Sequence, residues 1–178
     1  MLLRAFKGRF PLTLVRAFCC YVRPILEYAS PVWNPYLIKD VTVIEYVQRN
    51  FTRRVLAKCG LEKMSYEARL IHFGIESLQT RRAKSDLIML YKMSIGLVDL
   101  SLSRFFPKNN SQRVCPRSNG TNLRHPFIPR PDAVNHSFAF RARRIWNSLP
   151  VECVRANSVS VFASEIDKYF TLHPILID

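Results

Sequence analysis

The carboxylates of this chain are too scattered to form the catalytic centre that nucleotidyl transfer requires. Two-metal polymerases and nucleases bring two or three carboxylates together on adjacent strands or turns. The 178 residues include 13 Asp and Glu, and no two Asp residues are adjacent. Glu45, Asp86 and Glu165 fall on predicted helices, where we expect them to pair at the helix surface with basic neighbours, as Glu45 would with Arg49. The sequence therefore predicts no catalytic residue and a chain that is not itself an enzyme.

The cysteines and histidines lack the spacing that is typical of a metal centre. Cys115, His125, His136 and Cys153 could supply four ligands, but structural zinc usually takes two ligands from one tight turn, and no such pair is present. Small buried thiols and loop histidines are the favoured interpretation. The five glycines form no loop that could cradle a phosphate. We therefore predict no metal, no cofactor and no small-molecule substrate.

Basic residues dominate the charged side chains and indicate a polyanionic partner. There are 27 Lys and Arg, a net charge of +14, and Arg outnumbers Lys 19 to 8. Guanidinium groups grip phosphate at two points and stack on bases, which favours RNA, DNA or an RNA–DNA hybrid over an anionic membrane. The alternative is that these side chains are only solvated or pair with local acids. The candidate phosphate contacts lie at the basic start of one helix or off the apolar stripe of two others: Arg49, Arg53, Arg81, Lys84, Arg141, Arg143 and Arg144.

Aromatic rings near these basic residues could add stacking on bases to the phosphate contacts. The candidates are Tyr28, Trp33, Phe105, Phe106 and Trp146. Rings of this size are more often part of a core, and the core interpretation is favoured for both tryptophans.

The apolar segments are too short for a signal sequence or a membrane span. The run from Ala17 to Val22 lies between Arg16 and Arg23, far short of the ~20 apolar residues that a span needs. The five cysteines are odd in number and include no C-x-x-C pair, which favours a reducing compartment. We expect an intracellular protein, in the nucleus or cytoplasm as part of a ribonucleoprotein, with no membrane partner.

Helix signals recur along most of the chain. The first helix is expected to run from Pro11 to Ser30 with a kink at Pro24. Serine or aspartate caps begin the later helices, and glycines end several of them. The predicted caps are Asp40, Ser65, Ser77, Ser137 and Ser158, and the predicted stops are Gly60, Gly74 and Gly96. In the helix that Asp40 begins, one apolar stripe is formed by Leu37, Val41, Ile44, Phe51 and Val55.

Composition divides the chain into three regions. Residues 1–106 are predicted to form a helical bundle. Residues 107–136 are rich in proline and basic residues and have no helical period, so we expect an irregular linker. Residues 137–178 are predicted to form a C-terminal helical pair, with Phe162, Ile166 and Tyr169 on one face of its last helix. The predicted fold class is mostly α.

The order of several short segments resembles a known family. The sequence Tyr21–Trp33 is similar to the segment just after the palm in reverse transcriptases of non-LTR (LINE-type) retrotransposons, of the jockey-like and chicken-repeat-like groups. The similarity covers nearly the whole chain in the family's order and spacing. Its further segments are Ile44–Arg49, Ser65–Leu70, Leu87–Lys92, Trp146–Pro150 and Ser158–Tyr169.

The resemblance implies a thumb and carboxy-terminal extension, with residues 1–106 as a thumb-like helical region. In that family the helices grip template–primer while an upstream palm carries the metal-binding aspartates. This chain lacks that palm with its Asp-Asp hairpin, and also the endonuclease and the zinc knuckle of some relatives. No catalytic residue therefore carries over. The resemblance implies a transposon-derived fragment or truncated reading frame whose missing palm is one partner.

Two other interpretations stay open at the level of sequence. The chain could be an inactive structural remnant, poorly stable without its packing partner. It could also be a co-opted module that binds protein. Salt-sensitive binding of RNA or DNA would separate the gripping module from both.

Overall fold

Helices account for all regular secondary structure in the described part of the chain. A computed structural model of the protein describes residues 2–6, 8–106, 123, 136–173 and 175. These residues contain no β-strand, which confirms the predicted mostly α-helical fold class. None of their helices combines the length and hydrophobicity that a bilayer crossing requires. The helices are α1 (Leu2–Ala5), α2 (Pro11–Tyr21), α3 (Arg23–Glu27), α4 (Ser30–Trp33), α5 (Ile38–Cys59), α6 (Tyr66–Phe73), α7 (Leu78–Ser94), α8 (Leu102–Phe105), α9 (Phe138–Trp146), α10 (Val151–Val154) and α11 (Val159–Leu172).

The chain divides into two compact units with a boundary inside α7. The N-terminal unit is Met1–Arg81 and the C-terminal unit is Arg82–Asp178. Composition predicts different boundaries, after residues 106 and 136. The two differ because composition marks where helical periodicity stops, whereas the later half of α7 shares a core with α9 and α11. The predicted linker, residues 107–136, lies outside the described residues except for positions 123 and 136.

The core of the N-terminal unit is built by α2, α5 and α6. Its buried residues are Leu14 and Val15 of α2, Val55 and Leu56 of α5, and Phe73 of α6. Beside them Phe18 stacks on Phe51, with ring centroids 4.5 Å apart. Burying one apolar side chain of this size stabilises a fold by roughly 1.5–3 kcal/mol. The buried residues of this core therefore hold α5 against α2 and α6.

The predicted first helix is divided into α2 and α3, and a further helix, α4, begins at its last residue, Ser30. α2 ends at Tyr21, and α3 begins at Arg23 with Pro24 in its first turn. Proline has no N–H to donate to the preceding turn, so the helix breaks at Val22 instead of continuing with a kink. A second break follows at Ala29, whose φ of 51° is left-handed, before α4 begins at Ser30.

The longest helix, α5, begins earlier than its sequence signal and ends where predicted. Its N-cap is Leu37, with no side-chain hydrogen bond, and Asp40 lies in the first turn. The predicted Asp40 cap is therefore wrong, although a carboxylate in the first turn still interacts favourably with the helix dipole. The end at Cys59 is confirmed, with Gly60 in the left-handed conformation that glycine adopts without strain.

Serine caps are confirmed at three helices and absent at a fourth. The Oγ atoms of Ser65, Ser77 and Ser158 accept from the backbone N–H three residues later, at 3.1, 3.1 and 3.2 Å. Ser137 precedes α9 as predicted, but its side chain makes no capping hydrogen bond. The same residue type therefore caps some helices and only precedes another.

The core of the C-terminal unit joins α7, α9 and α11. Tyr91 of α7 stacks on Phe162 of α11, with centroids 4.3 Å apart and planes 8° apart, and its hydroxyl donates to Ala156 O at 2.6 Å. Trp146 packs in this core, as the sequence favours. The predicted stripe on α11 is right for Phe162 and Ile166, but its third fully buried member is Phe170, with Tyr169 only half-buried.

Candidate nucleic-acid interface

The basic residues predicted to contact phosphate are shared between the two units. Arg49, Arg53 and Arg81 belong to the N-terminal unit, and Lys84, Arg141, Arg143 and Arg144 belong to the C-terminal unit.

On α5, Arg53 is exposed and Arg49 is half-buried. The Nη2 of Arg53 donates to Asn50 Oδ1 at 2.9 Å, one turn earlier on the same helix. The guanidinium of Arg49 lies 4.9 Å from the centroid of the Tyr66 ring, a cation–π contact. Arg53 is thus open to a solvent partner, while the ring partly covers Arg49.

Arg81, at the start of α7, is held by acids of its own unit. Its Nη2 donates to Glu27 Oε2 at 2.9 Å, and Glu76 lies 3.9 Å from Nη1. The hydrogen bond with Glu27 is the main reason that the pKa of Arg81 is raised above its usual value. A second cation, Arg23, lies 3.9 Å from Glu27. The carboxylates of Glu27 and Glu76 thus offset the positive charge of Arg81 within the unit, although Arg23 also lies near Glu27.

Lys84 and Arg141 are similarly paired in the C-terminal unit. Lys84 is only 7% exposed, and its Nζ lies 2.6 Å from Asp167 Oδ1. Arg141 Nε lies 3.1 Å from Asp86 Oδ2, and Asp86 is buried. Asp86 is therefore in the interior and not at the helix surface as predicted, and Arg141 lies 55 residues from it in sequence.

The other two arginines of α9 are more open. Arg143 is half-buried and lies over the ring of Phe140, 5.1 Å from its centroid. Arg144 is exposed. Together with Arg49 and Arg53, they are the predicted basic residues for which no ion pair with a carboxylate is found among the described residues.

The buried face of α5 includes a carboxylate, Glu45, that the sequence predicts at the helix surface. Glu45 is 2% exposed, and its Oε1 and Oε2 accept from the backbone N–H groups of Leu78 and Gln79 at 3.1 and 3.2 Å. The Tyr66 hydroxyl donates to Oε1 as well. The predicted surface pair with Arg49 is therefore wrong: Glu45 receives the free N–H groups at the start of α7.

Gln48 extends this network along the same face. Its Nε2 donates to Tyr66 Oη at 3.0 Å and to Glu76 O at 2.9 Å, and its Oε1 accepts from Arg23 at 3.2 Å. Burial, and next the nearby Glu45, raise the pKa of Tyr66 far above its ordinary value. The phenol thus stays protonated and able to donate. Glu45, Gln48, Thr52, Val55 and Leu56 are the fully buried residues of α5, so only Val55 of the predicted stripe is among them.

A groove on the opposite side of α5 was not foreseen from the sequence. It has a volume of about 460 Å³ and is lined by residues of α1, α2 and α5 and by Val22. We call it the α1/α2/α5 groove. Its N-terminal wall is held by Lys58, whose Nζ donates to the carbonyls of Leu3, at 2.6 Å, and of Phe6. No local signal could reveal it, since its lining joins Leu3 and Arg4 to residues of α5 that lie more than 40 positions later in the chain.

The predicted stacking residues have different environments. Tyr28 is 80% exposed, and Trp33 is also exposed, with its Nε1 donating to Tyr28 O at 2.6 Å. The core interpretation of Trp33 is thus wrong because α4, four residues long, buries Ser30 and leaves the indole at the surface. Phe106 and Trp146 are buried in the C-terminal unit, and Phe105 packs against the same core. Of these five predicted stacking residues, only Tyr28 and Trp33 are exposed to solvent.

Metal-ligating residues do not converge in the part of the chain that the structure describes. No group of three or more His, Cys, Asp and Glu side chains there could hold an ion. Of the four residues considered for zinc, Cys115 and His125 lie outside the described residues. Cys153 is buried, and that burial raises the pKa of its thiol, which disfavours the thiolate that a metal requires.

Comparison with known proteins gives one partial similarity. No family model and no solved structure matches the chain. An uncharacterized protein of Caenorhabditis elegans is 30% identical over 81 residues, which are 46% of this chain and 41% of that protein. The chain thus spans less than half the length of the curated relative that it matches. This similarity carries no functional assignment to the present chain.

Proposed function

We propose that this chain is a nucleic-acid-gripping module, of the kind found after the palm of a retrotransposon reverse transcriptase. It would hold RNA, DNA or an RNA–DNA hybrid through phosphate contacts and contribute no catalytic group of its own. Its second partner would be the palm domain that the resemblance implies, inside an intracellular ribonucleoprotein of the nucleus or cytoplasm.

The separation of charge across α5 is the observation that supports this proposal. The helix contains two acids, Asp40 and Glu45, and five basic residues. Glu45 is buried and occupied by backbone N–H groups of α7. The exposed side keeps Arg53 and Arg54, with the half-buried Arg49 beside them. Asp40 is exposed in the first turn of the helix, more than two turns from these arginines. An exposed basic face on a helix whose central acid, Glu45, is turned inward suits the phosphate backbone.

Four of the predicted basic residues form no ion pair with a carboxylate among the described residues, and these are the better candidates for phosphate contacts. Arg49, Arg53, Arg143 and Arg144 are proposed as phosphate contacts. Arg81, Lys84 and Arg141 already have carboxylate partners, so a phosphate would have to compete with Glu27, Asp167 and Asp86. We expect these three to contribute mainly to the stability of their units.

The salt dependence of binding tests this proposal. Each phosphate contact releases counterion, so replacing Arg49 and Arg53 together by Gln should flatten the plot of log affinity against log salt by roughly 1.5. Fluorescence anisotropy with a labelled RNA–DNA hybrid and with duplexes of unrelated sequence measures the slope. The weakening should be similar for all sequences, because phosphates carry no sequence information.

The matched control replaces Arg9 and Arg16, which are exposed but lie outside α5. It removes the same charge, so an equal loss of slope would mean that net charge and not the α5 face matters. Circular dichroism must show that both double variants fold. A parent chain that binds none of the nucleic acids in a salt-dependent manner would contradict the proposed function.

Exposed apolar side chains near α2, α3 and α4 favour one second candidate, a module that binds protein. Tyr21, Ile25, Tyr28 and Val32 are each more than two-thirds exposed. Apolar groups clustered in sequence and open to water are typical of interaction surfaces. The two candidates are compatible, since a gripping module must also dock on a polymerase.

A further inference from the structure

The α1/α2/α5 groove combines an apolar interior with cationic edges. Phe18 is buried, Val22 and Phe51 are half-buried, and the rings of Phe18 and Phe51, which both line the groove, stack on each other. Arg4 of α1 and Arg54 of α5 also line it, and both are exposed. Its volume of about 460 Å³ lies within the range of roughly 300–1,000 Å³ for small-molecule sites.

One side of the groove offers a ring and an amide on the same face of α5. Tyr46 is 54% exposed, so one part of its ring is packed and another part is open. Asn50 lies one turn later and carries both a donor and an acceptor. A flat aromatic surface beside an amide suits the face and the edge of a nucleobase.

The charge of the lining selects among possible occupants. The lining contains two arginines and no carboxylate. An amphipathic peptide would pair with the two arginines only if it carried acidic residues. Each nucleoside within a strand is always flanked by two backbone phosphates. The lining therefore complements a nucleic-acid strand in charge and in shape.

We propose that the α1/α2/α5 groove binds one unpaired nucleobase of a single-stranded segment. The base stacks on Tyr46 above the Phe18–Phe51 pair, and Arg4 and Arg54 contact the flanking phosphates. This inference rests on the proposed function and extends it. The arginines proposed above contact only the phosphate backbone of the nucleic acid, and the groove adds a site for a base.

An abasic oligonucleotide tests the groove without changing the charge of the ligand. Anisotropy compares a labelled 12-nucleotide pyrimidine strand with the same strand lacking its bases. Since stacking on one aromatic ring stabilises a bound base, the intact strand should bind roughly 5- to 150-fold more tightly. Tyr46→Ala should reduce this ratio towards one, and Tyr46→Trp should preserve it.

Two further variants separate stacking from charge. Arg54→Gln should weaken both strands by a similar factor and leave their ratio unchanged, because it removes a phosphate contact. Tyr36→Ala, which removes another exposed tyrosine of the same unit, should leave the ratio as in the parent. Circular dichroism shows whether the partly exposed Tyr46 can be removed without loss of helix.

The outcomes distinguish this inference from the proposed function. Salt-dependent binding of both strands with equal affinity by the parent, or a ratio that Tyr46→Ala leaves unchanged, would overturn the base site and keep the phosphate-binding module. In that case the apolar interior would suit a side chain of a protein partner. Absence of binding to either strand would overturn the base site, and absence of binding to the RNA–DNA hybrid and the duplexes as well would overturn the proposed function.

Discussion

Glu45 lies in the interior of the N-terminal unit, where two backbone N–H groups and a phenol donate to it. The carboxylate accepts hydrogen bonds from free backbone N–H groups at the start of α7, although Glu45 lies 33 residues before Leu78 in the chain. An internal Ser77 cap satisfies the N–H of Thr80 at the same end. Two independent acceptors therefore serve one helix start, which is where free donors are concentrated.

Replacing Glu45 by Ala should destabilise the chain by about 2–3 kcal/mol. The change leaves the N–H groups of Leu78 and Gln79 and the Tyr66 hydroxyl without their acceptor in a buried place. Urea unfolding followed by circular dichroism measures the loss. Glu62→Ala, at an exposed position, is the control and should change stability by less than about 0.5 kcal/mol. Equal effects of the two substitutions would argue against the capping role.

Tyr66 gives a prediction about alkaline pH. Burial and Glu45 raise its pKa above the unfolded value of about 10. The folded state therefore keeps a proton that the unfolded state loses, so stability should fall by about 1.4 kcal/mol for each pH unit above about 10. Tyr66→Phe removes this contribution, and it also removes hydrogen bonds worth about 1–3 kcal/mol at pH 7.

The parent and Tyr66→Phe should thus differ clearly at pH 8 and less at pH 11. Urea unfolding at both pH values gives the two differences. Tyr28→Phe, at an exposed tyrosine, should follow the parent throughout. A gap between parent and Tyr66→Phe that is constant with pH would show that Tyr66 titrates normally in the fold.

At the scale of elements, α5 is a helix with two different polar sides. One side buries Glu45, Gln48 and Thr52 in hydrogen bonds, and the other presents Arg53 and Arg54 to solvent. Buried polar networks are rigid when every group is satisfied. The network therefore fixes the rotation of α5 about its axis, which determines which arginines face outward.

Helix caps provide a paired test of element stability in the C-terminal unit. Ser158 Oγ accepts from Val161 N at the start of α11, whereas the Ser137 side chain makes no capping bond at α9. Ser158→Ala should cost about 1 kcal/mol, and Ser137→Ala less than about 0.5 kcal/mol. Thermal unfolding of the two variants and the parent measures the difference. A larger loss at Ser137 would contradict the assignment of the caps.

At the scale of the whole molecule, charge and apolar exposure act in opposite directions. A net charge of +14 favours solubility through repulsion. The exposed apolar residues of α2–α4 favour association. Repulsion between charges weakens as salt is added, while apolar association does not. We therefore expect association of the isolated chain to increase with salt.

Self-association should depend on the α2–α4 surface in particular. In 0.3 M salt at micromolar concentration, sedimentation velocity should show oligomers of the parent and mainly monomer after Ile25→Lys with Val32→Lys. The control, Ile71→Lys with Leu172→Lys, adds the same charge at two other exposed apolar positions and should still associate. A monomeric parent that melts cooperatively under these conditions would contradict the prediction.

The sequence alone determined the features that depend on near neighbours. The mostly α-helical class, the caps at Ser65, Ser77 and Ser158, and the end of α5 at Gly60 follow from signals within about four residues. The burial of Phe162 and Ile166 followed from helical periodicity in the same way. A helix forms its hydrogen bonds within itself, so its neighbours along the chain suffice to predict it.

Only the tertiary structure decided which polar groups are buried and which arginines stay open. Glu45 reaches α7 across 33 residues, Arg81 reaches Glu27 across 54, and Lys84 reaches Asp167 across 83. No local period records such partners, because an ion pair or a buried hydrogen bond depends on which side chain packing brings within about 3 Å. The α1/α2/α5 groove has the same origin, since its lining comes from three helices that approach one another only once the chain has folded.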